Sequence, residues 1–95
     1  MFEVVETLVF AGWIVRLKDH RARARINIRI KRLRGGNFGD HGSVGGGVSE
    51  MRIDYGPGYR VYLTIRGRTV VLLCGGDKST QRKDIETAVD LAKEV

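Results

Sequence analysis

Hydrophobic and polar positions along this chain follow two periods, and the change falls near Val48. Upstream the spacing is helical. Thr7 offers an N-cap for a helix whose Phe10, Trp13, Ile14 and Leu17 share one face. Asp19 offers a second cap, before a helix in which Ala22, Ile26, Ile30 and Leu33 form an apolar stripe. Phe2 to Val5 reads as a short opening strand, and the close spacing of the two helices predicts an antiparallel hairpin. From Val48 the period is two, with Met51, Ile53 and Tyr55 on one side and Glu50, Arg52 and Asp54 on the other. Gly56-Pro57-Gly58 turns the chain, after which Val61, Leu63 and Ile65 alternate with Arg60, Tyr62 and Thr64. Arg66-Gly67 reads as the centre of a tight hairpin leading into Thr69 to Cys74, apolar on both faces and therefore central in a sheet. A last helix, capped near Ser79 or Thr80, runs to Glu94 with Ile85, Ala88, Val89 and Ala92 inward.

These elements predict one α+β domain over residues 1–95. Its parts are an N-terminal strand, a helical hairpin, a three-stranded antiparallel meander completing one sheet, and a C-terminal helix. Between the second helix and the meander, residues 35–47 hold seven glycines in thirteen positions, which predicts a mobile loop. At 42% hydrophobic and 29% charged residues, the composition is that of a globular chain able to bury one modest core.

Charge changes the picture. The formal net charge is +6, and nine of the seventeen Lys and Arg residues lie between Arg16 and Arg34 against one acid, Asp19. A helix so loaded repels itself, and a polyanionic or acidic partner is the usual compensation. Arg21, Arg23, Arg25, Arg29, Lys31 and Arg32 are the candidate contacts to RNA or to an acidic protein, with Arg23, Arg25 and Arg29 expected on the exposed side. The meander adds a second candidate. If the helix pair covers the face bearing Ile53, Val61 and Leu63, the opposite face presents Glu50, Arg52, Asp54, Arg60 and Tyr62 to solvent or ligand. Two arginines on adjacent strands can converge on one phosphate, and a tyrosine beside them can stack on a base.

Several classes fall away. Gly75-Gly76-Asp77-Lys78-Ser79-Thr80 resembles a piece of a phosphate-binding loop, but no glycine directly precedes the lysine and the upstream glycine is missing. Gly45-Gly46-Gly47 lacks the spacing of a dinucleotide fingerprint, and no Cys/His cluster has zinc-ligand spacing, so neither cofactor nor metal is expected. The lone Cys74 lies in an apolar run and reads as a buried structural thiol. With no basic leader and no apolar run near the ~20 residues of a membrane span, a cytoplasmic protein is expected.

Four segments carry a family resemblance: Gly39-Asp40, Gly47-Val48-Ser49-Glu50-Met51-Arg52-Ile53, Tyr55-Gly56-Pro57-Gly58-Tyr59-Arg60-Val61-Tyr62, and Leu73-Cys74-Gly75-Gly76-Asp77-Lys78-Ser79-Thr80-Gln81. With the element order they resemble the RelE/ParE superfamily of bacterial toxins, nearest the phage-derived, HigB-like addiction module killer proteins. The resemblance implies a RelE-like fold and the toxin of a type II toxin–antitoxin module. Such toxins cleave messenger RNA on the ribosome without a metal and are neutralised, as a hetero-oligomer, by an adjacent helix-turn-helix antitoxin of HigA-like type. The chemistry implied is attack of a ribose 2′-OH on the neighbouring phosphorus.

By its place in the motif, Arg60 is similar to the family's strand arginine that binds the scissile phosphate. Arg52 is expected as a second phosphate ligand, and Lys78 as a charge stabiliser or proton donor. Glu50, Asp77 and Tyr62 each offer a general base, and the residues alone do not choose among them. His20 and His41 read as surface residues. The chain departs from the branch at Gly42-Ser43, where a Lys-Pro pair is common. Two other activities stay open: inhibition of DNA gyrase in the manner of ParE, and binding of RNA or an acidic protein without cleavage.

Overall fold

The computed structural model describes residues 1–95 and shows an α+β fold built on one five-stranded sheet. Strand β1 (Glu3–Glu6) is followed by helices α1 (Leu8–Arg16) and α2 (His20–Arg34). Strands β2 (His41–Gly45), β3 (Val48–Ile53), β4 (Tyr59–Arg66) and β5 (Thr69–Gly76) come next, then a 3-10 turn (Lys78–Thr80) and helix α3 (Gln81–Ala92). The order across the sheet is β1-β5-β4-β3-β2, with β1 parallel to β5 and every other pair antiparallel.

The N-caps expected of the first two helices form, whereas Thr80 at the start of α3 makes no side-chain cap bond. The Thr7 hydroxyl accepts from Phe10 N at 3.1 Å, and the Asp19 carboxylate accepts from the amides of Arg21 and Ala22. The two helices cover one face of the sheet. There Phe10, Ile26, Ile30 and Leu33 pack on Met51, Ile53, Val61, Leu63, Val70 and Leu72. Helix α3 covers the other face, where Ala88 and Ala92 meet Val48, Tyr62, Val71, Leu73 and Cys74. Strand β5 is apolar on both sides because a core lies on both sides of it.

Alternation fails at one place in β5. Tyr62 pairs with Cys74 but Leu63 pairs with Leu72, so Leu73 is an extra residue in the ladder. The bulge turns Cys74 onto the α3 side along with Leu73. It also sets Gly75 against α1 and Gly76 against α3: a Cβ on Gly75 would lie 2.3 Å from the Trp13 ring, and one on Gly76 would lie 1.8 Å from Asp84 Oδ2. The Gly-Gly pair thus lets a helix approach the end of β5 from each side.

The structure revises the glycine-rich segment. The three expected strands of the meander are present, and a fourth joins them, because residues 41–45 form the edge strand β2 rather than lying in a loop. Val44 packs on the α3 core, and Gly45, Gly46 and Gly47, all at positive φ, make the turn into β3. Smaller shifts move β1 one residue on, place the β4–β5 turn at Gly67-Arg68 and end α3 at Ala92. No helix is long and apolar enough to cross a membrane.

Candidate functional site

Arg52 on β3 and Arg60 on β4 are direct cross-strand partners. Like charges placed so are mutually destabilising, and the chain resolves the conflict with Glu50, two residues before Arg52 on the same face. The Glu50 side chain is only 6% exposed. Its Oε2 accepts from Arg52 Nε at 3.0 Å, its Oε1 accepts from Gln81 Nε2 at 3.0 Å, and Arg60 Nε lies 3.6 Å from Oε1. A single buried carboxylate therefore aligns two guanidinium groups and ties the start of α3 to the sheet.

The two arginines are held differently. Arg52 also donates from Nη1 to Asp40 Oδ1 at 2.7 Å, and the two carboxylates raise its pKa above the ordinary guanidinium value. Gly42 makes room for this arrangement, since a Cβ there would sit 2.7 Å from Arg52 Nη2. Arg60 is more enclosed, at 14% exposure against 35%, but less bonded. Its Nη1 donates to Gly58 O at 2.6 Å in the turn before β4, and its buried Nε makes no hydrogen bond. Lys78 reaches the same place from the 3-10 turn, whose N-cap Asp77 accepts from Ser79 N at 2.8 Å. Together Asp40, Arg52, Asp54, Gly58, Arg60 and Lys78 line an open cleft of about 310 Å³, with Ile53 its one apolar lining residue.

Of the expected site residues, Arg52, Arg60 and Lys78 are thus brought together. The other three are not offered to a ligand in the way expected. Tyr62 is fully buried under α3, and burial, with the Glu50 and Asp84 charges, pushes its phenol well above the usual tyrosine range. Its hydroxyl is buried without a partner, so the expectation of an exposed tyrosine beside the arginines is corrected. Asp77 is turned back to cap its own turn. Glu50 lies beneath the arginines, and the face expected to be open is closed by α3 everywhere except at this cleft.

Sequence reading gave no role to Asp40, Gln81 or Asp54. Asp54 is exposed, borders the cleft and makes no hydrogen bond or ion pair within the chain. The alternation of β3 already placed it on the right face. Asp40 and Gln81 lie 12 and 31 residues from their partners, and no local pattern announces such pairs. Formally the cleft is balanced, with Arg52, Arg60 and Lys78 set against Glu50, Asp40 and Asp54.

The cationic helix divides into two kinds of residue. Arg21, Arg25, Lys31 and Arg32 are exposed as expected, whereas Arg23 and Arg29 are half-buried and engaged. Arg23 donates to Leu17 O at 2.9 Å. Arg29 donates to the carbonyls of Arg52, Phe38 and Asp40, stapling α2 to β3 and to the segment before β2. Arg25 lies over the Tyr55 ring, 4.7 Å from its centroid, and the Tyr55 hydroxyl donates to Asp19. A second depression of about 270 Å³ opens here between Arg25, Ile28, Arg29, Arg32, Ile53 and Asp54. Cys74 is buried and unpaired, its thiol pushed up to about 12 by burial and the Asp84 charge. No three His, Cys, Asp or Glu side chains gather as a metal site would require.

No family model matches the chain. It is 57% identical over 94 residues to a protein of Haemophilus influenzae described only as uncharacterized, an alignment covering 98% of this chain and 95% of the relative.

Proposed function

We propose that this chain, which belongs to the same family as the Haemophilus influenzae protein, is the toxin of a bacterial type II toxin–antitoxin module. Its activity is ribosome-dependent, metal-independent cleavage of messenger RNA in the cytoplasm, and its partners are a helix-turn-helix antitoxin, the ribosome and the message. The observation that carries this reading is the cleft, where three cations from three separate elements surround one opening that a free carboxylate, Asp54, also borders.

In this mechanism Arg60 receives the scissile phosphate. It has donors to spare, because only Nη1 is hydrogen-bonded within the chain. Its guanidinium stabilises the charge that develops on the phosphoryl oxygens as the 2′-oxygen attacks. Arg52, held at Nε by Glu50 and at Nη1 by Asp40, is a fixed neighbour that adds charge without reorganising. Lys78, exposed at the rim, protonates the departing 5′-oxygen. Of the carboxylates on the cleft, Asp54 is the one without a partner, and it takes the 2′-OH proton. DNA lacks that hydroxyl and is not cut.

The balance of charge in the cleft favours a second reading. Each arginine there already faces an acid, and a gyrase inhibitor of ParE type, or a plain RNA or acidic-protein binder, needs no base or leaving-group acid. Expression of the chain alone in a bacterium separates these readings. Growth arrest with cut messages in primer extension, reversed by the adjacent antitoxin gene, supports the endonuclease. Arrest with intact messages and lost supercoiling selects the gyrase inhibitor.

A further inference from the structure

The two depressions are not separate features, because Ile53 and Asp54 line both. One surface therefore runs from Lys78 and Arg60, past Asp54, onto the face of α2 that carries Arg25, Ile28 and Arg32. Arg29 braces this surface by joining α2 to the backbone at Arg52 and at Asp40, so the two parts keep a fixed relation.

Within the groove the guanidinium groups are not equivalent. Arg29 spends its donors on three carbonyls. The Arg32 guanidinium makes no hydrogen bond or ion pair in the chain, and the only partner of the Arg25 guanidinium is the Tyr55 ring beneath it. Seven residues apart on one helix, Arg25 and Arg32 lie about 10.5 Å from each other along the axis, enough to hold separate groups. Between them stands Ile28, 50% exposed, an apolar wall in a cationic setting.

Free guanidinium groups flanking an apolar wall, continuous with a cleft read as taking a phosphodiester, fit a nucleotide chain: phosphates on Arg25 and Arg32, a base edge against Ile28. We propose that the α2 groove is a second subsite for single-stranded RNA, holding the nucleotides next to the one bound in the cleft. This rests on the reading of the cleft as an RNA site, and it assigns Arg25 and Arg32 to substrate binding and Arg29 to support.

The test is fluorescence anisotropy on the full chain with uncleavable 2′-O-methyl oligonucleotides of three and seven nucleotides, over a range of salt. The longer probe binds about 10-fold tighter than the shorter one at low salt. Arg25→Gln/Arg32→Gln abolishes most of that gain and makes the salt slope for the longer probe shallower by about 1.4, two single-strand phosphate contacts. Arg32→Gln alone, which breaks no side-chain hydrogen bond or ion pair within the chain, removes about half of the slope change, so a folding defect at Arg25 does not decide the result. Arg34→Gln/Arg68→Gln, which removes two exposed charges outside the groove, keeps the length gain.

A length gain indifferent to Arg25 and Arg32 overturns the subsite, as does a wild-type chain with no affinity for either probe. Hexaglutamate binding that depends on Arg25 and Arg32, with no RNA length gain, assigns the groove to an acidic protein instead. Cleavage of ribosome-bound message is scored separately. If wild type cleaves but shows no length gain, only the subsite fails; if it shows the gain but never cleaves, only the endonuclease reading fails.

Discussion

The arginines of the cleft and those of the α2 groove are the same side chain in opposite settings. In the cleft, Arg52 and Arg60 stand side by side across two strands, Arg60 largely withdrawn from water and Arg52 partly so, and a buried carboxylate holds them there. In the groove, Arg25 and Arg32 sit on one exposed helix face with neither in an ion pair, although Asp54 lines the same depression. Withdrawal from water strengthens what a guanidinium does to a nearby charge but demands a counterion, whereas exposure needs no counterion and yields a weaker, salt-screened attraction. The first arrangement suits stabilising charge that appears during a reaction. The second suits holding an extended polyanion by many small contacts.

The comparison breaks most severely at Glu50. Glu50→Ala leaves the enclosed Arg60 without a counterion beside the half-exposed Arg52 and frees the start of α3, and a loss of about 3 kcal/mol in unfolding free energy, the low end for a broken buried pair, is expected from urea denaturation. A loss under about 1 kcal/mol would mean that the clamp is no more than a surface pair. Asp54 sharpens the comparison, since both depressions share it. Asp54→Asn should lower single-turnover cleavage by about 10²-fold and leave the affinity for uncleavable RNA nearly unchanged. Equal losses in both would make Asp54 a binding residue.

The smallest effect lies at the far end of the cationic helix. Asp19 is held below its ordinary carboxylate pKa, first by the Ala22 amide and then by Tyr55, against an opposing effect of burial. A depressed folded-state pKa stabilises the fold above the unfolded value of 3.8, and that stability is lost as pH falls through the folded value. The melting temperature of wild type should therefore fall more than that of Asp19→Asn between about pH 5 and about pH 2. Parallel curves would show that the cap does not couple to pH.

Periodicity carried the fold a long way. The α2 stripe Ala22, Ile26, Ile30, Leu33 and the alternation of β3 and β4 were legible, because each follows from which residues share a face. Alternation does not say what covers a face, and so Tyr62 was expected at a surface that α3 in fact occupies. Strand β2 was hidden for another reason: Gly42 and Gly45 leave no apolar period, and the pairing with β3 supplies the order. In the candidate site, the residue types of Arg52, Arg60 and Lys78 were visible, while the Glu50 clamp depended on Asp40 and Gln81, distant partners with no local signature. Among the helix arginines charge alone was legible. Separating Arg25 from Arg29 required the carbonyls that Arg29 meets.

The central claim is that chemistry belongs to the cleft and binding to the groove. Single-turnover cleavage of a ribosome-bound message, measured across toxin concentration for wild type, Arg60→Ala and Arg25→Gln/Arg32→Gln, tests it most directly. The account predicts that Arg60→Ala lowers the saturating rate by about 10²-fold or more, as loss of one preorganised donor does. It predicts that the groove variant reaches the wild-type rate but needs more protein to do so. Wild-type cleavage by Arg60→Ala would contradict it.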